Sequence, residues 1–218
     1  SKQHDAFDIQ LAHNLLMVLD ENYYNPYDKW RDVCWSLITV DKNLLYPSFL
    51  LFSSKSEKFN WDLTPSECYE QWNSSNYNPD RAPGMGSLHF WAKRCDLIKA
   101  EEVSEKNIDN YLYQTLAGGT EWDIAKLVKA IYGDRFKCCN IKQKLWFEFK
   151  KGKWEQIDSG TTLRQALSHR ISKMYHKKVQ EALSGAEELM EEGEKKQKNM
   201  DAAKLADMAL NLKKTTWK

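Results

Sequence analysis

No run of eighteen or more apolar residues occurs anywhere in the chain, so a helical membrane span is excluded. Residues 1–8 are polar and the apolar run after them is short, so no signal peptide is expected at this end. Cysteine is scarce and oddly numbered: there are five, none in a C-x-x-C pair. That pattern fits reduced, buried or incidental thiols in an intracellular compartment. Adjacent Cys138 and Cys139 would point to opposite faces of a strand, which makes them a poor metal pair, and no metal site is expected. A phosphate-binding loop is also missing. Gly118-Gly119 is not followed by Gly-Lys-Ser or Gly-Lys-Thr. Scattered Ser, His and acidic residues occur, but at no spacing that nucleophilic or acid–base catalysis needs.

What is present is a chain able to fold and unevenly charged. Hydrophobic residues make up 42% of it, enough for packed cores, and 218 residues suffice for one large or two small domains. Nine Trp and ten Tyr are many for this length, and most are expected in the core, with an N–H or O–H partner. Residues 1–105 carry ten basic and sixteen acidic side chains, whereas residues 106–218 carry twenty-two and fifteen. The asymmetry implies two modules with different tasks. Between Lys126 and Lys178 the excess is sharper still: fourteen Lys and Arg against four acids, within a chain whose total is +1. A polyanion is the natural counterpart.

The periodicity divides the chain accordingly. Phe7, Leu11, Leu15, Val18 and Leu19 recur at helical spacing, with His13 in the same helix as a packing or solvent-facing side chain. Further helices are expected over 27–38, with Trp30, Val33, Cys34 and Leu37 inward, and over 47–59, opened by Pro47. Thr64-Pro65-Ser66-Glu67 reads as a capping box, 73–86 as a loop, and Ser87 as the cap of a helix burying Leu88, Trp91 and Ala92. Residues 103–119 read as a linker with room for a short docked helix. Thr120 should cap a helix that carries Ile124, Leu127, Val128 and Ile131 and stops at Gly133. Short strands follow over 135–140, 145–149 and 154–158, with a turn at Lys150-Lys151-Gly152-Lys153. A helix from Thr162 turns Leu163, Leu167, Ile171 and Met174 inward. Residues 184–214 make one long helix or a hairpin broken near Gly193. The expected fold is mainly α: an all-α N-terminal module, then a small α+β helix–β-hairpin–helix module with a long C-terminal helix.

Several of these motifs resemble a known family. Trp30-x-x-Val33-x-x-x-Leu37, Phe52-Ser53-x-Lys55-Ser56-x-Lys58-Phe59, Tyr69-x-x-Trp72 and Ser87-Leu88-x-x-Trp91-Ala92-Lys93 resemble the type-two primase C-terminal domain. Asp123-Ile124-Ala125-Lys126, Trp146-Phe147-x-Phe149, Trp154 and Leu163-Arg164 resemble the segment that precedes a superfamily 3 helicase domain. The resemblance implies the middle of a primase-helicase of poxvirus and giant-virus kind. It divides the chain into a primase C-terminal-like domain over 1–102, a linker over 103–119 and a helicase-preceding DNA-binding or collar domain over 120–218. It implies ATP and Mg in the parent protein but no cofactor in this chain. Primase and helicase domains of the same polypeptide would be its partners, within a hexamer at an intracellular replication site, either a cytoplasmic viral factory or the nucleus. The chain departs from the whole-family pattern in lacking the phosphate-binding loop, the acidic strand end after it, and any primase carboxylate pair. No catalytic residue is therefore carried over, and enzymatic activity belongs to the parent.

Three readings stand at this point: a non-catalytic connecting and DNA-binding region, a free-standing DNA-binding factor, and an oligomerisation collar without direct DNA contact. For the first two, the residues expected to contact single-stranded or forked DNA are Lys142, Lys144, Lys150, Lys151, Lys153, Arg164, Arg170, Lys173, Lys177 and Lys178. Contacts of this kind hold phosphates and carry little sequence preference. Trp146 and Trp154 are expected in the core; exposure of either would add base stacking on single strands.

Overall fold

The computed structural model describes residues 5–133, 135–187 and 191–214. The chain divides into two units, residues 1–107 and residues 108–218.

The first unit is helical: α1 (Ala6–Val18), α2 (Glu21–Tyr24), α3 (Tyr27–Asp41), α4 (Tyr46–Ser53), α5 (Thr64–Trp72), α6 (Met85–Cys95) and the first half of α7 (Leu97–Gly118). The α1 helix starts where the Asp5 carboxylate accepts the Phe7 and Asp8 N–H groups, filling two of the donors a helix start leaves open. One core joins the helices through Leu11, Leu15 and Leu16, Val33 and Leu37, Phe49 and Phe52, Trp72, Leu88 and Ala92. Buried tryptophans need a partner for the indole N–H. Trp72 donates to the Lys42 carbonyl at 3.1 Å, and half-buried Trp30 donates to Ser53 Oγ at 2.8 Å. His13 Nδ1 lies 2.9 Å from Ser48 Oγ, a packing histidine.

Local caps differ from the sequence expectation in two places. Leu63, not a hydroxyl residue, precedes α5, because the Thr64 hydroxyl is taken by the Asn60 N–H of the turn before it. The α6 helix begins two residues before Ser87, at Met85, with Gly84 as its cap. The helix opened by Pro47 ends at Ser53, whose hydroxyl bonds back to the Phe49 carbonyl. The composition that suggests a linker over 103–119 coexists with a helical backbone: α7 runs unbroken to Gly118, and the division between the units falls within it.

The second unit contains the rest of α7, then α8 (Glu121–Tyr132), β1 (Phe136–Asn140), β2 (Leu145–Lys150), β3 (Lys153–Ile157), a short 3-10 turn over Asp158–Gly160, α9 (Thr161–Ala166), a π-helical turn (Leu167–Ile171), α10 (Ser172–Glu187) and α11 (Glu192–Asn211). Thr120 caps α8 as expected, in a reciprocal capping box with Asp123. The strands form an antiparallel sheet in the order β1-β2-β3. The expected inward stripe of Leu163, Leu167, Ile171 and Met174 is altered by the π turn. It inserts extra backbone into the helical run, so Ile171, Ser172 and Tyr175 are buried while Met174 is only half-buried. The C-terminal segment is a helical hairpin rather than one long helix. Extended Glu191 precedes the second helix, two residues ahead of Gly193, and 188–190 are outside the described residues. The core of this unit holds Leu112, Leu127, Ile171, Tyr175, Leu205 and Ala209. Buried Tyr175 shares a hydrogen bond with Thr115 at 2.9 Å, and burial pushes its phenol up to about 12. Ser172 Oγ donates to the Ala209 carbonyl, tying α10 to α11.

Candidate nucleic-acid interface

The basic stretch folds into the sheet and the helices that follow it. The β2–β3 connection is a two-residue turn in which Lys151 (φ 51°) and Gly152 (φ 81°) both have positive φ. That geometry matches the strand twist and sets Phe149 opposite Trp154 and Lys150 opposite Lys153. The β1–β2 connection is held by Asn140, whose side chain accepts the Gln143 N–H, and it leaves Ile141 85% exposed between the strands. Lys142 and Lys144 are exposed in the same turn. Consecutive hairpins sharing β2 place their turns at opposite ends of it. Lys142 and Lys144 therefore stand about 17 Å along the strand from Lys150, Lys151 and Lys153, a spacing taken from the usual strand rise. The lysines form two positive ends, not one cluster.

Their surroundings separate free cations from structural ones. Lys178 is half-buried, with its ammonium 2.7 Å from both Asp109 and Glu181. Desolvation pulls its pKa down, yet the hydrogen bonds it donates to the two acids outweigh this and hold it above the ordinary lysine value. Its ammonium is already engaged by these two acids. Lys177 pairs more loosely with Glu181 at 3.8 Å, and Lys153 with Glu155 at 3.1 Å. Lys150 lies 3.3 Å from Glu148. Lys142, Lys144, Lys151, Arg164, Arg170 and Lys173, with Lys137 of β1, have no acid within ion-pair distance among the described residues.

Beneath the sheet lies one buried acid that the sequence pattern does not single out. Glu148 is fully buried and accepts both Nε and Nη2 of Arg135 as well as the Lys150 ammonium. Burial pushes its carboxyl up, but hydrogen bonds from Arg135, Lys150 and Thr162 prevail and hold it below the ordinary glutamate value. Strand alternation gives the clue: Glu148 shares its face with Trp146, and Trp146 packs against Gly160, where an added Cβ would lie 3.4 Å from the indole. That face is the inner one.

The outer face contradicts one expectation. Trp146 is half-buried, but Trp154 is 40% exposed and its cross-strand partner Phe149 is 45% exposed. Their ring centroids are 5.3 Å apart, and Lys137 Nζ sits 4.7 Å from the Trp154 ring centre. Tyr132 and Arg135 complete an open groove beside them.

Residues 12–92, about three-quarters of the helical first unit, match the family model Primase C terminal 2 (PriCT-2). The N-terminal unit is thus a primase C-terminal 2 match. Across its length the chain is similar to proteins of large DNA viruses. It is 29% identical over 207 residues to a protein of Acanthamoeba polyphaga mimivirus named as a helicase, covering 95% of this chain and 21% of that protein. It is 26% identical over 154 residues to a protein of African swine fever virus named as a primase, covering 67% and 16%. Frog virus 3 has a protein named as a helicase that is 28% identical over 126 residues, covering 56% and 12%. The chain thus spans about a fifth or less of the length of these relatives. The similarities support a replication-related role and are consistent with a segment from within a primase-helicase. No helix among the described residues is long and apolar enough to cross a membrane.

Proposed function

We propose that this chain is a non-catalytic connecting and DNA-binding region of a viral replicative primase-helicase, linking primase to an ATP-driven hexameric helicase. In this reading the parent polypeptide binds ATP and Mg, carries the catalytic residues, and works at an intracellular replication site. The observation that carries the DNA contact is the set of lysines without acidic partners at both ends of the three-stranded sheet, on a unit with a large basic excess. Exposed ammonium groups crowded at a turn repel one another unless an anion separates them. A phosphate backbone tracks such ends without reading sequence.

The test is a salt titration of DNA binding by fluorescence anisotropy. For the unaltered chain, log K should fall against log salt by about 0.7–0.9 for each phosphate neutralised. The triple variant Lys142→Glu, Lys144→Glu, Lys151→Glu, at exposed cations that hold no acid among the described residues, should lose most of its binding while keeping its fold, since exposed charges contribute little to stability. Binding by that variant equal to the unaltered chain's across the titration overturns the assignment. A collar is favoured instead by the exposed Leu183, Met200 and Leu210 on the α10–α11 hairpin. A stable hexamer of this chain alone, seen by light scattering, would support it.

A further inference from the structure

We propose that the open face of the sheet, with Trp154 and Phe149 at its centre, is a base-stacking platform for single-stranded DNA. The inference rests on the reading that this unit contacts DNA, and adds which form of DNA it takes. The register sets Lys137 and Phe147 opposite one another, and Phe149 opposite Trp154, so their side chains share one face. The inner face carries Trp146 and buried Glu148 against the Gly160 turn. A small sheet with rings on both faces needs a reason for the uncovered pair. Two neighbouring rings left 45% and 40% exposed are not isolated surface aromatics, because they touch each other and border a groove with Tyr132 and Arg135.

The charges around the rings identify the occupant. Lys137 lies over Trp154, and both Arg135 and Arg170 approach the Tyr132 ring, at 5.8 and 5.4 Å from its centre. Lys137 and Arg170 have no acidic partner among the described residues. An apolar protein surface docked here would bury those two cations unpaired, which is costly. A nucleic-acid strand satisfies both halves of the site. Its bases offer flat faces to the rings, and its phosphates receive the cations. On entry a base takes the place of the Lys137 ammonium over the indole, and the ammonium moves to the adjacent phosphate. Duplex DNA hides its base faces in the stack, so the occupant is single-stranded.

The experiment uses the 218-residue chain. Anisotropy is measured with a labelled oligothymidylate, an abasic strand of the same length, and a duplex, each titrated with salt. The double variant Trp154→Ala, Phe149→Ala should weaken oligothymidylate binding by roughly ten- to a hundred-fold, the range for loss of one or two stacked bases. It should leave binding of the abasic strand and the duplex, and the salt slope, unchanged. Trp154→Phe keeps a ring and should retain most of the affinity, which separates stacking from damage to the fold. Equal affinity of the unaltered chain for the oligothymidylate and abasic strands overturns the platform. So does undiminished oligothymidylate binding by the double variant, or a change in its sedimentation in place of DNA affinity, which would make the face a contact between copies. If the triple lysine variant loses abasic and duplex binding while the ring variants change nothing, the phosphate reading stands and the platform falls. If the unaltered chain binds none of the three, both fall.

Discussion

Glu148 is where stability and DNA affinity should move in opposite directions. Replacing it by Gln keeps the shape and the ability to accept from Thr162 but removes the charge that Arg135 and Lys150 face. Breaking a fully buried ion pair costs about 3–5 kcal/mol, chiefly through the charge left stranded. Here the stranded groups are the cations, whose side chains are 40% and 47% exposed and can turn to water. The expected loss is therefore discounted to about 1–2 kcal/mol. Hydrogen exchange of the β2 amides reads this locally, as protection falling by about 5–30-fold. The pH dependence follows from the direction of the shift. The folded carboxyl titrates below its unfolded value, so its contribution is fully present above the ordinary glutamate pKa and is lost as pH falls through the folded one. The unaltered chain and Glu148→Gln should thus converge in acid and diverge near neutrality. The same substitution frees Arg135 and Lys150, so duplex DNA should bind more tightly at low salt, with the gain vanishing at high salt. Unchanged β2 protection at neutral pH would refute the reasoning, since it would leave the buried carboxylate without energetic consequence.

Three other outcomes are expected. Thr120→Ala removes one half of the capping box and should destabilise α8 by about 1 kcal/mol, seen as faster exchange in its first turn. Gly160→Ala must adopt φ near +69° and place its Cβ 3.4 Å from the Trp146 indole, so a loss of about 1–2 kcal/mol should appear in denaturant melts that follow the second unit. Lys151→Gly should relieve a left-handed residue, slowing exchange in the β2–β3 hairpin while lowering DNA affinity.

Helices and strands are legible where one periodicity dominates. The stripe of Val33, Cys34 and Leu37 and that of Ile124 and Leu127 are buried as their spacing requires. The three strands and the turn at Lys151-Gly152 stand within a residue of their sequence positions. Caps are less legible, because a hydroxyl can bond forward or backward. Thr64 serves the turn before α5, not the helix after it. The π turn at Leu167–Ile171 leaves no sequence mark, since it changes the phase of the apolar stripe without changing its composition. In the candidate site, the exposed cations are visible from composition, but their partners are not. Only the folded chain brings Asp109 beside Lys178 and Arg135 beside Glu148. The expectation for Trp154 fails for a related reason. Alternation assigns Trp146 and Trp154 to opposite faces of the sheet, but which face is covered depends on where the Asp158–Gly160 turn folds back.

The backbone adds an argument independent of charge. Non-glycine residues at positive φ among the described residues are Lys144, Lys151 and Ser159. Two of them are lysines, each in a turn at one end of β2. A left-handed lysine costs about 1 kcal/mol or more relative to glycine there, and asparagine or glycine would satisfy either turn more easily. Strain of this kind persists only where the fold over-determines it, and it collects at positions with a task beyond folding. At a tight turn the lysine side chain projects from the tip with neither neighbouring strand to fold onto, so its ammonium is held away from the carboxylates of the sheet. Lys150 and Lys153, one step inside the turn, do pair with Glu148 and Glu155. Lys144 and Lys151 find no acid among the described residues. The conformational cost and the missing counter-ion thus fall on the same two side chains, and the proposed phosphate contact at each end of the sheet would account for both.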